Sequence, residues 1–130
     1  MDVEGSLRVP QIAGAIDRAS PRRILYAGRL VDPRTSPVVI VLFTLDGCGA
    51  CAEYKPRFQK LAAAANLPIP VIYADADDPK FSGLADRLKV EAVPVTFVLR
   101  RPRGLIRLTG ASTDAQITWL LNAAAQAART

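Results

Sequence analysis

Two cysteines, Cys48 and Cys51, stand three residues apart in a chain of 130 that has no others. On the first turn of a helix, that spacing brings two thiols close enough to close a small disulfide ring. The thiol nearer the helix start faces backbone N–H groups without an intrahelical partner and the positive end of the helix dipole. Both favour thiolate over thiol, and thiolate is the reactive form. Gly47 and Gly49 on either side leave Cys48 accessible. The pair offers thiol–disulfide exchange, half of a metal site, or a plain structural clip. Zinc takes four ligands and the chain has no histidine, so a metal reading needs a second chain to complete it. Without an imidazole, Ser-His and Cys-His hydrolase chemistry is excluded as well.

The elements that must position the pair can be read around it. Val38 to Leu45 is an apolar, β-branched run, which predicts a buried strand. Asp46-Gly47 breaks it, and the cysteines open a helix with Tyr54, Phe58, Leu61 and Ala65 at helical spacing. The alanines at 62–65 suit close packing. Pro56 lies inside that helix and costs about 3 kcal/mol if its lost hydrogen bond is not compensated. Asn66-Leu67-Pro68 ends it, and Ile69 to Ala74 predicts a second strand. Asp78-Pro79 caps a helix that buries Phe81, Leu84, Ala85 and Leu88. Val95 to Arg100 and Leu105 to Leu108 predict two strands joined by a four-residue hairpin connection. Ser112 or Thr113 opens a last helix with Ile117, Leu120, Leu121, Ala124 and Ala128 inward. The order predicts an α/β domain, a mixed central sheet flanked by helices.

The N-terminal part is less legible. Met1 to Pro10 has little periodicity, and Gln11 to Ala19 suggests a short amphipathic helix. Ser20 to Val31 fits a second helix, whereas Arg23 to Gly28 fits an edge strand equally well. The expected division is therefore 1–37, an N-terminal extension with the first elements of the fold, and 38–130, the main domain.

Half of the residues are hydrophobic and 22% are charged, with a formal net charge of +5. That is a globular composition. No apolar run reaches the roughly 18 residues of a membrane span, and residues 1–20 lack a secretory signal pattern. The expectation is a cytoplasmic protein with no membrane contact, a setting where close cysteines are more often catalytic than structural. Arg100, Arg101, Arg103 and Arg107 read as a solvated hairpin, since no aromatic side chains interleave with them to stack nucleic acid bases. Asp75, Asp77 and Asp78 read as a strand end and helix cap.

Four features together resemble the thioredoxin family: Cys48-Gly49-Ala50-Cys51 after a buried strand, Pro56 five positions on, Val93-Pro94 before the hairpin, and Gly110 sixteen residues later. The resemblance implies a thioredoxin fold over about 38–128 and a cis Pro94 facing the cysteines. It implies that Cys48 attacks a substrate disulfide and Cys51 resolves the mixed disulfide. Gly47, Gly49, Ala50, Val93, Pro94 and Gly110 would form the substrate-binding surface, with the Val93 backbone pairing an extended substrate segment. No metal is expected, and no cofactor beyond the dithiol itself. The implied partners are disulfide-containing protein substrates and an electron donor, a reductase or a small thiol, with the chain acting as a monomer.

Three positions depart from the family pattern. Gly47 replaces the tryptophan before the first cysteine. Leu42 replaces a buried aspartate that helps the second cysteine lose its proton; Asp46 and Glu53 are near in sequence. Ala50 replaces a proline that favours the reduced state, which makes the pair a somewhat stronger oxidant. A different kind of function, a binding module on the same fold with incidental redox activity, is the alternative.

Overall fold

The computed structural model describes residues 32–129 in full and the backbone of residues 2–3, 24–26 and 29–31. The sequence readings for 1–10 and 11–19 otherwise lie outside the described residues. Strands β1 (Asp2–Val3), β2 (Ile24–Tyr26), β3 (Arg29–Val31) and β4 (Val38–Thr44) are followed by α1 (Gly49–Ala65) and β5 (Val71–Asp75). Helix α2 (Pro79–Arg87), strands β6 (Val95–Arg100) and β7 (Leu105–Thr109), and helix α3 (Asp114–Arg129) complete the order.

The main sheet runs β1-β7-β6-β4-β5, while β2 and β3 pair as a separate antiparallel hairpin. Strand β4 is parallel to β5, with Leu42 opposite Tyr73, and antiparallel to β6, with Leu42 opposite Thr96. This is the mixed sheet expected from β-α-β followed by a short hairpin. Within 23–28 the described residues Ile24–Tyr26 take the strand alternative, because β2 finds its partner in β3.

Six of the seven β4 residues are buried, and their alternation divides two cores. Val39, Val41 and Phe43 face α2, packing with Phe81, Leu84 and Leu88. Val38, Ile40 and Leu42 face α1 and α3, packing with Tyr54, Phe58, Ile117 and Leu120. Being covered on both faces explains why β4 reads as a continuous apolar run.

The helix caps follow local chemistry. Asp78 Oδ1 accepts from the Lys80 amide at 3.0 Å, as its sequence position predicts. Thr113 opens α3 with a reciprocal cap: its Oγ1 accepts from Gln116 N, and Gln116 Oε1 accepts from Thr113 N. Asn66 ends α1 with φ 52°, its amide donating to the carbonyls of Ala62 and Ala63.

Two helix faces differ from the sequence reading. The buried stripe of α1 is Cys51, Tyr54, Phe58 and Ala62, while Ala65 is exposed. Spacing alone fits Leu61 and Ala65, but the sheet and α3 pull the helix round to its aromatic stripe. On α3 the inward residues end at Ala124; Ala128 is exposed and Ala127 takes the partly buried place.

Candidate functional site

The cysteines stand at the carboxyl end of β4, an interior strand between β6 and β5, where β4 hands over to α1. Leu45 O accepts from Cys48 N at 3.3 Å across a turn with Gly47 at φ +82°, a conformation that costs glycine little. Cys48 and Cys51 form a disulfide with their Cα atoms 5.2 Å apart. Cys48 is partly exposed, whereas Cys51 is 3% exposed. Gly49 and Ala50, between them, are exposed.

Cys48 is itself the N-cap of α1. Its Sγ accepts from the Cys51 amide at 3.1 Å. No acidic residue occupies the first helical turn. A negative charge on Cys48 sulfur therefore meets a directed N–H and the helix dipole with no nearby carboxylate in that turn to oppose it. This arrangement stabilises negative charge on the Cys48 sulfur.

The Val93–Pro94 peptide is cis. The Val93 carbonyl lies 4.0 Å from Cys48 Sγ, so this edge does face the cysteines. The Pro94 carbonyl accepts from Gly110 N at 2.8 Å, which brings the third predicted stretch to the same end of the sheet. Among the described residues, no backbone hydrogen bond is made to Val93. Gly110 has φ +84°, and a Cβ built there would meet nothing within 4 Å. Backbone conformation thus sets the need for glycine at 110, and the space beyond it is open.

The structure brings together Gly47, Cys48, Gly49, Ala50, Cys51, Val93, Pro94 and Gly110. It also separates two acidic neighbours that sequence left undivided. Asp46 lines a pocket of about 240 Å³ with Cys48, Cys51, Lys55 and Pro56. Glu53 is held elsewhere by Arg57, whose Nε and Nη2 donate to its two oxygens at 2.8 and 3.1 Å. Arg57 Nη1 also donates to Asp114 Oδ1 at 2.9 Å and to the Ser112 carbonyl. One guanidinium therefore ties the cysteine helix to the start of α3. The Glu53–Arg57 half of this link is legible as a pair four apart on a helix; the α3 half joins residues more than fifty positions apart.

Behind the cysteines the environment is apolar with one polar pair. Leu42 is 0% exposed, and the hydroxyls of Tyr54 and Thr96 meet at 2.9 Å in the same core. Burial pushes the Tyr54 phenol above its usual 10.0. Sequence reading placed Tyr54 in the core but had no signal for this partner, which lies across the sheet. Among the described residues no group of three or more His, Cys, Asp or Glu side chains is arranged to hold a metal.

The Arg57 hydrogen bond holds the Glu53 carboxyl below its usual 4.5. The unfolded chain therefore binds more protons as pH falls, so this stabilisation is present above pH 4.5 and is lost as pH drops through the folded value. Glu53→Gln is expected to lower Tm near pH 7 by only about 1–3 °C, because the pair stands in solvent. Thermal scans should show the gap closing below pH 4.5 and in about 1 M salt. A gap constant across pH would mean that the carboxylate charge contributes nothing.

Comparison with known proteins matches the Thioredoxin family over residues 29–123. The chain belongs to the thioredoxin family. It is 36% identical over 74 residues to mitochondrial thioredoxin-2 of Schizosaccharomyces pombe, a match covering 57% of this chain and 53% of that protein. The chain thus spans about half the length of this curated relative. Thioredoxin f from spinach chloroplast superposes with a TM-score of 0.57 at 28% identity, covering 73% of this chain and 79% of that one. The thioredoxin of Malassezia sympodialis gives 0.60 at 20% identity, over 68% and 78%, a likeness of fold.

Thioredoxins are dithiol–disulfide oxidoreductases that act on disulfide-containing proteins, and this member keeps the paired cysteines of that chemistry. The expected cytoplasmic location does not stand, since the curated relative is a mitochondrial protein. The expectation rested on a missing secretory pattern. Organelle addresses use a different one, amphipathic and arginine-rich, which that criterion does not detect. No helix of the described residues is long and apolar enough to cross a membrane.

Proposed function

We propose that the chain reduces protein disulfides by thiol–disulfide exchange, with Cys48 as the attacking thiolate and Cys51 as the resolving thiol. The observation that supports this most is the Cys48 sulfur serving as the N-cap acceptor of α1, 3.1 Å from the Cys51 amide and beside the Val93–Pro94 edge. A purely structural clip has no need of a thiolate-stabilising position or of an accessible sulfur. The substrate, as an extended segment, pairs with the free Val93 backbone, and the open side of Gly110 admits its chain. Gly47, Gly49 and Ala50 form the low surface over which it approaches. The working unit is 38–130, with 1–37 as an extension and first elements. It acts as a monomer with no metal or organic cofactor, apart from membrane and nucleic acid, and is recharged by a reductase or a small thiol.

Equilibration of the Cys48/Cys51 pair against graded thiol–disulfide buffers, read by mass spectrometry, tests this reading. A potential near or modestly above about −270 mV is expected for a reductant carrying Ala50, with Ala50→Pro shifting it downward. A value above roughly −200 mV would replace the reductase reading with an oxidising or isomerising one. A pair that never cycles would overturn both and leave a binding module.

A further inference from the structure

Resolution of the mixed disulfide requires a proton to leave Cys51, because only its thiolate attacks. Cys51 is almost wholly buried, so its proton needs a nearby acceptor or a path to water. Behind it the sheet offers nothing suitable: Leu42 is apolar, and the Tyr54 and Thr96 hydroxyls bind each other. Glu53 is engaged by Arg57 and Asp114 lies beyond it. The remaining exit is the pocket beside the disulfide.

That pocket is lined by both cysteines, and its other ionisable side chains are Asp46 and Lys55. Its volume of about 240 Å³ admits several waters at about 30 Å³ each. Asp46 is set at its lip by the turn that closes from Leu45 O to Cys48 N around Gly47. Lys55 faces it from the second turn of α1, its ammonium 5.5 Å from the centre of the Tyr73 ring. An ammonium has no lone pair to accept a proton, whereas a carboxylate does.

We infer that Asp46 is the positioning base of this oxidoreductase, taking the Cys51 proton through the water of the pocket it shares with both thiols. The inference rests on the oxidoreductase reading above. In the resolving step the Cys51 S–H gives its proton to the Asp46 carboxylate, and the thiolate electron pair attacks Cys48 Sγ. The Cys48–Cys51 bond forms as the bond from Cys48 to the substrate sulfur breaks. The substrate leaves as a thiolate and takes a proton from the neutral Asp46 carboxyl or from water. The dithiol is oxidised and the substrate disulfide is reduced, with no other reactant.

The test follows the reduced full chain reacting with an aromatic disulfide whose released thiolate is coloured. The first release reports attack by Cys48, and the second reports resolution by Cys51. Asp46→Asn is expected to slow the second release by about 10²-fold or more near pH 7, the lower end of the scale of general base catalysis, and to leave the first unchanged. The gap should narrow as pH rises and hydroxide reaching the pocket water takes over the proton, and Asp46→Glu should restore the rate. The charged groups that bear on this profile are Lys55 from α1 and, at the end of β5, Asp75 opposite Thr44 and Asp77 bound to it. A second release unchanged in rate and pH profile overturns the role of Asp46. So does an equal slowing of both releases, which marks a general effect on the turn. If the wild-type chain releases a single thiolate, the oxidoreductase reading itself falls.

Discussion

A Cys51→Ser chain is expected to stop at the mixed disulfide, holding its substrate on Cys48 and losing essentially all turnover. Cys48 keeps everything that makes it reactive: the N-cap position, the amide of residue 51 at 3.1 Å, and the open approach over Gly47, Gly49 and Ala50. Attack therefore proceeds. Resolution does not, because a serine hydroxyl in the buried position of Cys51 cannot break a disulfide. Mass spectrometry of the variant, mixed with a disulfide-containing protein and quenched in acid, should show a covalent adduct that added thiol removes. Cys48→Ser should form none. Adducts of equal yield with both variants would mean that the two sulfurs are equivalent, against the asymmetry of their exposure.

Phe58→Ala is expected to cost about 3–5 kcal/mol, the range for removing a fully buried aromatic side chain. Phe58 is 0% exposed and stands where α1 meets the sheet, with the Tyr54 ring 6.0 Å away and the Tyr73 ring edge-on at 6.5 Å. It shares one cluster with Ile40 and Leu42 of β4 and Leu120 and Leu121 of α3. Domains of this size are stable by about 5–15 kcal/mol, so the loss consumes a large share of the total. Urea unfolding should show the midpoint falling with the slope unchanged. A loss below about 1 kcal/mol would show that α1 resettles on the sheet without its aromatic stripe.

Much of the site was legible because its signals are local. The break after β4, the cysteine spacing, the Asp78-Pro79 cap and the hairpin between β6 and β7 each depend on a few adjacent residues, and each stands in the structure where those residues put it. The juxtaposition of Val93, Pro94 and Gly110 with the cysteines came from resemblance, since no local rule pairs positions so far apart. What local rules missed is tertiary. The rotation of α1 onto Ala62 rather than Ala65 is decided by the sheet beneath it, and the place of Ala127 rather than Ala128 on the inner side of α3 by the surface that helix packs against. Asp46 and Glu53 are equally near the cysteines along the chain, yet the strand-to-helix turn sends one into the pocket and Arg57 draws the other away. The pairing of β1 with β7 likewise depends on an edge that only the finished sheet presents.

Most helices are started by an oxygen that never reacts, and such a cap contributes about 0.5–2 kcal/mol. Here the same role falls to the Cys48 sulfur. In the cycle proposed above, the bond that begins the helix is rewritten each time the sulfur passes from thiolate to mixed disulfide to intramolecular disulfide. The ground rigidity of the first turn becomes a function of redox state, and substrate release coincides with a change in how firmly the helix is anchored at its origin.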